Sequence, residues 1–230
     1  MDPILLTVYQ SPFPKMRIGR ESDGGYVIAS IPNHTYDLLL SGGIKDDISF
    51  EEQFLQIYDQ TKCIALDGTI NQLPTSNDRI MFIQKNIGKF NSAELTNLHD
   101  IINSYNSIFV KMDIEGAEID WLNSLTDDHL NKFDQIVMEF HWPFTNKGNE
   151  AIERINKNHV LIHFHGNNNC GIRKINGIIV PNVFECTYLH LKFFTKLELN
   201  TVSIPGIFDR PNINQKKEIF IDYAPFVFKF

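Results

Sequence analysis

Four apolar runs in this chain each stop at a glycine, an acid or a histidine, and helical patterns lie between them. Residues 36–40 (Tyr-Asp-Leu-Leu-Leu) run into Ser41-Gly42-Gly43. Cys63-Ile64-Ala65-Leu66 ends at Asp67-Gly68. Ile108–Met112 ends at Asp113-Ile114-Glu115, and residues 136–140 carry Glu139 and stop at His141. Apolar runs of this length with few polar positions fit strands buried on both faces. Their alternation with helical stripes predicts βαβ units, a mixed, mostly parallel sheet and helices on both faces: an α/β, Rossmann-like fold. In such sheets ligands bind beyond the carboxyl ends of the strands, where these polar residues fall.

The rest of the chain fits around that frame. Residues 16–31 predict a small N-terminal hairpin turning at Asp23-Gly24-Gly25. Ser49 and Glu52 have the spacing of a capping box, and Phe50, Phe54, Ile57 and Tyr58 share the face of the helix it would start. Ile80–Ile83 predicts a third strand. Leu95, Leu98, Ile101, Ile102 and Tyr105 predict a helical stripe, and short helices are expected at 121–125 and 151–156. Residues 159–164 and 183–189 predict two late strands forming an antiparallel edge. The tail, with Pro205, Pro211 and Pro225, reads as irregular and packed by its phenylalanines. The expected organisation is one domain over 1–230: a hairpin cap (1–35), a Rossmann-like core (36–190) and a C-terminal extension (191–230).

Composition narrows the function classes. With 21 basic and 28 acidic residues and a net charge of −7, the chain lacks the clustered cations of a nucleic-acid binder. The same balance argues against docking on an anionic membrane. No run approaches the roughly 20 apolar residues of a membrane span, so no membrane insertion is expected. Three widely spaced cysteines, Cys63, Cys170 and Cys186, form neither a disulfide framework nor a zinc pattern. With no signal peptide visible at the start, they fit a reducing, cytoplasmic setting. Monomer and homodimer are both open.

The strand ends carry the candidate chemistry. Glycines after the first strand let a ligand approach the backbone, or simply make a tight turn. Asp67, 24 residues after Gly43, is placed to accept hydrogen bonds from ribose hydroxyls, or to hold a turn. The G-x-G-x-x-G dinucleotide fingerprint is absent. Gly42-Gly43-Ile44-Lys45-Asp46-Asp47 would set a pyrophosphate beside two carboxylates, which Coulomb repulsion disfavours. A cationic cofactor without phosphate suits such a loop, and S-adenosylmethionine is one.

Three segments resemble the FkbM-type and related methyltransferase-like domains: Arg17-Ile18-Gly19-Arg20 with Asp23-Gly24-Gly25-Tyr26-Val27, then residues 41–51, then Val110-Lys111-Met112-Asp113-Ile114-Glu115-Gly116-Ala117-Glu118. Their order, with Asp67-Gly68-Thr69 and Glu139-Phe140-His141 in place, matches too, over roughly residues 16–190. The Lys-x-Asp-x-Glu-Gly-x-Glu segment is the most specific part. The glycine loop departs from the G-x-G-x-G of class I enzymes. The resemblance implies a class I methyltransferase fold and S-adenosylmethionine-dependent methylation of oxygen on a sugar or sugar-containing small molecule, as in surface-glycan or glycoside biosynthesis. It implies that Gly42, Gly43 and Ser49 line the methionine part of the cofactor, that Asp67 with Gly68 holds the ribose, and that Asp113 lies beside the transferred methyl group. Arg17, Asp23 and Tyr26 would close the site.

A sugar hydroxyl is a weak nucleophile, so a base or a metal must deal with its proton. Asp113, Glu139 and His141 come from adjacent strand ends. Either His141 or Asp113 acts as general base, or the three hold a divalent cation such as Mg2+. His163 and His165 alternate onto one strand face, and three asparagines follow. His165 and Asn168 are candidates for contact with a sugar or nucleotide-sugar acceptor, or with metal. Two other function classes stay in view: a nicotinamide-dependent oxidoreductase or epimerase, which lacks its third glycine here, and a non-catalytic Rossmann-like binding module.

Overall fold

The computed structural model describes residues 1–229. In chain order its elements are β1 (Lys15–Ile18), β2 (Tyr26–Ala29), β3 (Leu38–Gly42), α1 (Ser49–Ile57), β4 (Lys62–Leu66), β5 (Ile80–Ile83), β6 (Asn86–Ile87), β7 (Leu95–Thr96), α2 (His99–Asn103), β8 (Ile108–Met112), α3 (Glu118–Ser124), α4 (Asp127–Asn131), β9 (Phe133–His141), α5 (Asn146–Asn156), β10 (His159–Gly166), β11 (Ile172–Ile175), β12 (Ile178–Pro181) and β13 (Val183–His190).

Seven strands form one sheet in the order β10-β13-β9-β8-β3-β4-β5. The five strands from β9 to β5 run parallel, and β13 is antiparallel to both its neighbours. Numbered by order along the chain, the sheet reads 3-2-1-4-5-7-6. This is the doubly wound, class I methyltransferase arrangement. The expected antiparallel edge is corrected in one respect: β13 lies inside the sheet, and β10, parallel to the rest, takes the edge.

The strands split their side chains between two cores, as a period of two requires. Leu38, Leu40, Val110, Met112, Ile136 and Met138 pack with Trp121, Leu122, Leu130, Ile152 and Ile155 of α3–α5. Leu39, Phe109 and Val137 face the other way, against Phe50 and Phe54 of α1 and Tyr26 and Ile28 of the hairpin β1–β2. Burying each such aromatic contributes about 2–3 kcal/mol. Toward the carboxyl ends, this second face turns polar: Ser41, Lys111, Glu139, Glu185 and His165 are all buried there. The hairpin covers it partly with hydrogen bonds, Gln135 bonding to the Ala29 backbone and the Thr187 hydroxyl to Val27 O.

Two local expectations are corrected. The capping box is absent. Ser49 is the first residue of α1, the cap position is Ile48, and the Ser49 hydroxyl and amide both donate to the Asp47 carboxylate just before it. The stripe at 95–105 is helical only over His99–Asn103, because Leu98 sits at φ +66° and Leu95–Thr96 pairs with β6. The hairpin β11–β12 was not foreseen, although Asn176-Gly177 at its turn, both at positive φ, is a strong hairpin signal. The tail is irregular as expected. Phe226 is buried in the core, whereas Phe220 is exposed. Among the described residues no helix is long and apolar enough to cross a membrane.

Candidate functional site

The connections from β3 and β8 leave on opposite sides of the sheet, and a crevice opens between their carboxyl ends. A cavity of about 620 Å3 lies there, within the usual range for small-molecule sites. Gly43 forms its floor at φ +79°, and a Cβ on it would lie 1.7 Å from the Asp113 carbonyl oxygen. Only glycine fits there. Asp67 pins the following turn: Oδ2 accepts from the Ile44 and Lys45 amides, and Oδ1 from the Thr69 amide and hydroxyl. Burial pushes its pKa up, but these bonds outweigh that and hold it below the usual carboxylate range.

The cavity wall carries seven carboxylates against four cations. Arg20 pairs with Asp47 at 3.0 Å and Asp46 at 3.4 Å, so the two loop acids are less bare than the sequence suggests. Lys111, buried under the loop, donates to Gly43 O at 2.6 Å. Apolar wall is supplied by Ile44, Phe50, Leu66, Ile87 and Leu95.

Asp113 belongs both to this wall and to a second cluster. One ligand atom each from Asp113, Glu139 and His141 lies within 4.8 Å of the others. Glu139 and His141 are two apart on β9 and share a face, and Met112 pairs with Met138, so Asp113 falls beside Glu139. The Tyr26 hydroxyl donates to Asp113 Oδ2 at 3.1 Å, whereas Oδ1 is buried with no hydrogen-bond partner. Asn167 donates to Glu139 Oε1 at 2.9 Å. His141 Nδ1 lies 3.0 Å from Glu118 Oε1, and its Nε2 faces Glu115 at 3.5 Å and Asp113 Oδ1 at 3.9 Å. Glu118, fully buried, is itself held by the Ile114 and Gly116 amides. Burial pulls the His141 pKa down, but the Glu118 hydrogen bond and the surrounding carboxylates outweigh it and push it up to about 9. Burial and the charges of Asp113 and Glu185 raise the Glu139 carboxyl well above its ordinary range. A ring with a pKa near 9 carries its proton at neutral pH, which disfavours His141 as a general base.

The remaining sequence candidates spread out. Asp23, Tyr26, Gly43, Asp67 and Asp113 line the cavity; Gly42, Ser49, Gly68 and Arg17 do not. Gly42 makes room for the Ile87, Met112 and Ile114 side chains, and Gly68 for the Asn86 amide. Arg17 donates to the Arg20 and Ser22 carbonyls within the hairpin loop. His165 is enclosed between Glu185 and Glu218, and Asn168 bonds the backbone of Ile213 and Lys216, so both hold the C-terminal segment. Sequence reasoning passed over Asn86, whose side-chain amide stands free on the wall, along with Lys111 and the orienting role of Glu118. Lys111 and Glu118 lie in the Lys-x-Asp-x-Glu-Gly-x-Glu segment, where their charges were the available signal.

No protein-family model matches this chain, and no curated protein matches it. Among solved structures it is similar to a chain of a fibrillarin/Nop5p complex (8% identity, 67% of this chain and 73% of that one, TM-score 0.40). It is also similar to a Methanococcus jannaschii fibrillarin pre-rRNA processing protein (9%, 70% and 69%, TM-score 0.39). A third is a Geobacter metallireducens precorrin-6y C5,15-methyltransferase (8%, 68% and 80%, TM-score 0.37). These likenesses are loose, and the fold is defined by its own strand order.

Proposed function

We propose that this protein is an S-adenosylmethionine-dependent methyltransferase that methylates a hydroxyl oxygen on a sugar or sugar-containing small molecule. The observation that carries it is the position of Asp113: on the wall of the switch-point cavity, with one carboxylate oxygen fixed by Tyr26 and the other without a donor.

The residues present fit the cofactor. The acidic wall suits a sulfonium and an ammonium, and its apolar patch suits an adenine. The Gly43 loop and Asp113 would hold the methionine part. Asp67 already accepts four hydrogen bonds, so a ribose hydroxyl must displace the Thr69 hydroxyl or turn to the free amide of Asn86. Bound there, S-adenosylmethionine supplies a methyl group whose bond to sulfur breaks as the new bond to oxygen forms, leaving a neutral thioether.

The chain's own residues handle the hydroxyl. Asp113 and Glu139 are the acceptors that orient it, and the free oxygen of Asp113 takes its proton. His141, protonated and fixed by Glu118, stands beside it with Nε2 3.9 Å from the free oxygen. Tyr26, whose own pKa burial pushes well up, stays a phenol and holds the carboxylate in place.

Calorimetry with S-adenosylmethionine and its demethylated product, followed by an acceptor screen with activated sugars, tests the proposal. Stoichiometric binding of both and methyl transfer to a sugar hydroxyl are expected. Binding of NADH with no binding of S-adenosylmethionine would overturn it.

A further inference from the structure

Each member of the Asp113–Glu139–His141 cluster is tied on one side by a partner of its own. Tyr26 holds one oxygen of Asp113, Asn167 one oxygen of Glu139, and Glu118 the Nδ1 of His141. What is left over converges. The His141 side chain is only 9% exposed, and its Nε2 makes no hydrogen bond; it lies 3.5 Å from the exposed Glu115 carboxylate and 3.9 Å from Asp113 Oδ1, a buried oxygen that also lacks a donor. Glu139 is 3% exposed. Four carboxylates, Asp113, Glu115, Glu118 and Glu139, surround this imidazole. Among the described residues no Lys or Arg pairs with any of them. Of the four, Glu118 and Glu139 are buried, and the imidazole is the cationic group beside them, a charge that a bound metal ion would take over.

We infer that Asp113, Glu139 and His141 form a binding site for one divalent cation, with an open coordination position toward the cavity where the acceptor hydroxyl binds. A ligating histidine almost always donates its second ring nitrogen to a carboxylate that sets its tautomer and tilt, and Glu118, locked by two backbone amides, does this for His141. Two carboxylates and one imidazole favour Mn2+ or Zn2+ over Mg2+, which prefers an all-oxygen shell. The ligand atoms stand slightly wide, and closing onto an ion at about 2.0–2.2 Å needs only small side-chain shifts.

The site deepens the proposed methyl transfer and rests on it for its purpose, though not for its existence. The acceptor oxygen, bound to the cation, loses its proton more readily. That proton passes to Glu115, an exposed carboxylate of the cavity rim, and on to water, while the oxygen's electron pair forms the bond to the methyl group. With the cation in place Asp113 is a ligand, His141 has released its Nε2 proton to solvent in exchange for the ion, and the task of proton acceptor moves to Glu115.

The test is a titration of the chelator-treated full chain with MnCl2, followed by electron paramagnetic resonance and by thermal unfolding. One Mn2+ per chain, an anisotropic bound signal and a raised melting temperature are expected. His141→Gln and Asp113→Asn should each weaken Mn2+ binding at least tenfold. Glu118→Gln, which leaves all three ligands in place, should weaken it about 10–100-fold. Loss of binding in Glu118→Gln with an unchanged circular-dichroism spectrum separates ligand orientation from misfolding. Absence of saturable Mn2+ and Zn2+ binding below about millimolar concentration, or unchanged binding in all three variants, overturns the site. Calorimetry with S-adenosylmethionine on the same metal-free chain keeps the two proposals apart. Cofactor binding without metal binding sinks the cation site alone, and metal binding without cofactor binding sinks the methyltransferase alone.

Discussion

His141 and His165 stand at two ends of one polar row. Register carries it across three strands, with Glu139 opposite Glu185 on β13 and Glu185 opposite His165 on β10. Both rings lie between carboxylates, and burial is outweighed by those carboxylates in each, to about 9 for His141 and about 10 for His165. Their neighbours differ. Beside His141, Asp113 opens onto the cavity with an oxygen to spare. Over His165 the chain folds back: Glu218 closes on the ring, Asn212 bridges Asp23 and Glu185, and Asp209 pairs with His163 at 2.9 Å. The same residue types make a reaction site where space adjoins them and a clasp where the chain fills that space.

The most severe test of this contrast sets one variant at each end. Asp113→Asn should lower kcat by about 1,000-fold, roughly 4 kcal/mol of barrier, with little change in melting temperature. His165→Gln should leave kcat within about threefold. If the two effects are reversed, the acceptor site lies under the tail and the cavity cluster is structural.

The clasp should show in stability instead. Removing one partner of a buried ion cluster costs about 3 kcal/mol, and the pH dependence has a definite sign. The folded-state pKa of His165 lies above the unfolded value of about 6.5, so its contribution is complete below that pH and fades as pH rises through about 10. Urea unfolding of wild type and His165→Gln at pH 6 and pH 10 should show the gap narrowing at the higher pH. A gap that widens with pH would mean the ring is neutral in the folded protein.

The strand ends, the switch point and Asp113 were legible in the sequence because they depend on period and on residue type, which local sequence carries. The placement of β13 inside the sheet was not, because an antiparallel strand reads the same at an edge or in the middle. His165 and Asn168 looked like site residues for the same reason: alternation gives the face of a strand but not what lies above it. What lies above it is residues 204–218, an irregular segment some 40–50 residues away in sequence. Asp67 shows the limit at short range. Its position at the end of β4 was readable, but the four donors that occupy its oxygens include amides of a loop more than 20 residues earlier.

Asn168 sharpens the closed side. Its amide donates to Ile213 O and Lys216 O, and its oxygen accepts from Ile213 N. Asn168→Ala removes all three and should cost about 2 kcal/mol, and it should speed limited proteolysis near 204–218. An unchanged cleavage rate would show that the remaining polar anchors hold the segment alone.

The smallest effect belongs to the open side and concerns Ser49, which the family resemblance assigns to the cofactor. Its hydroxyl donates to Asp47 Oδ2 at 2.9 Å, and Ser49 stands at the first position of α1, outside the cavity wall. Ser49→Ala loses that half-exposed bond, worth about 0.5–1 kcal/mol. It gains about 0.5 kcal/mol of helix propensity. The hydrogen bond from the Ser49 amide to Asp47 Oδ1 is untouched. Stability should therefore move by less than about 0.5 kcal/mol, and S-adenosylmethionine affinity by less than twofold. A tenfold loss of affinity at unchanged stability would mean that Asp47 releases the hydroxyl when cofactor binds, and that this side of the cavity, unlike the clasp around His165, rearranges on loading.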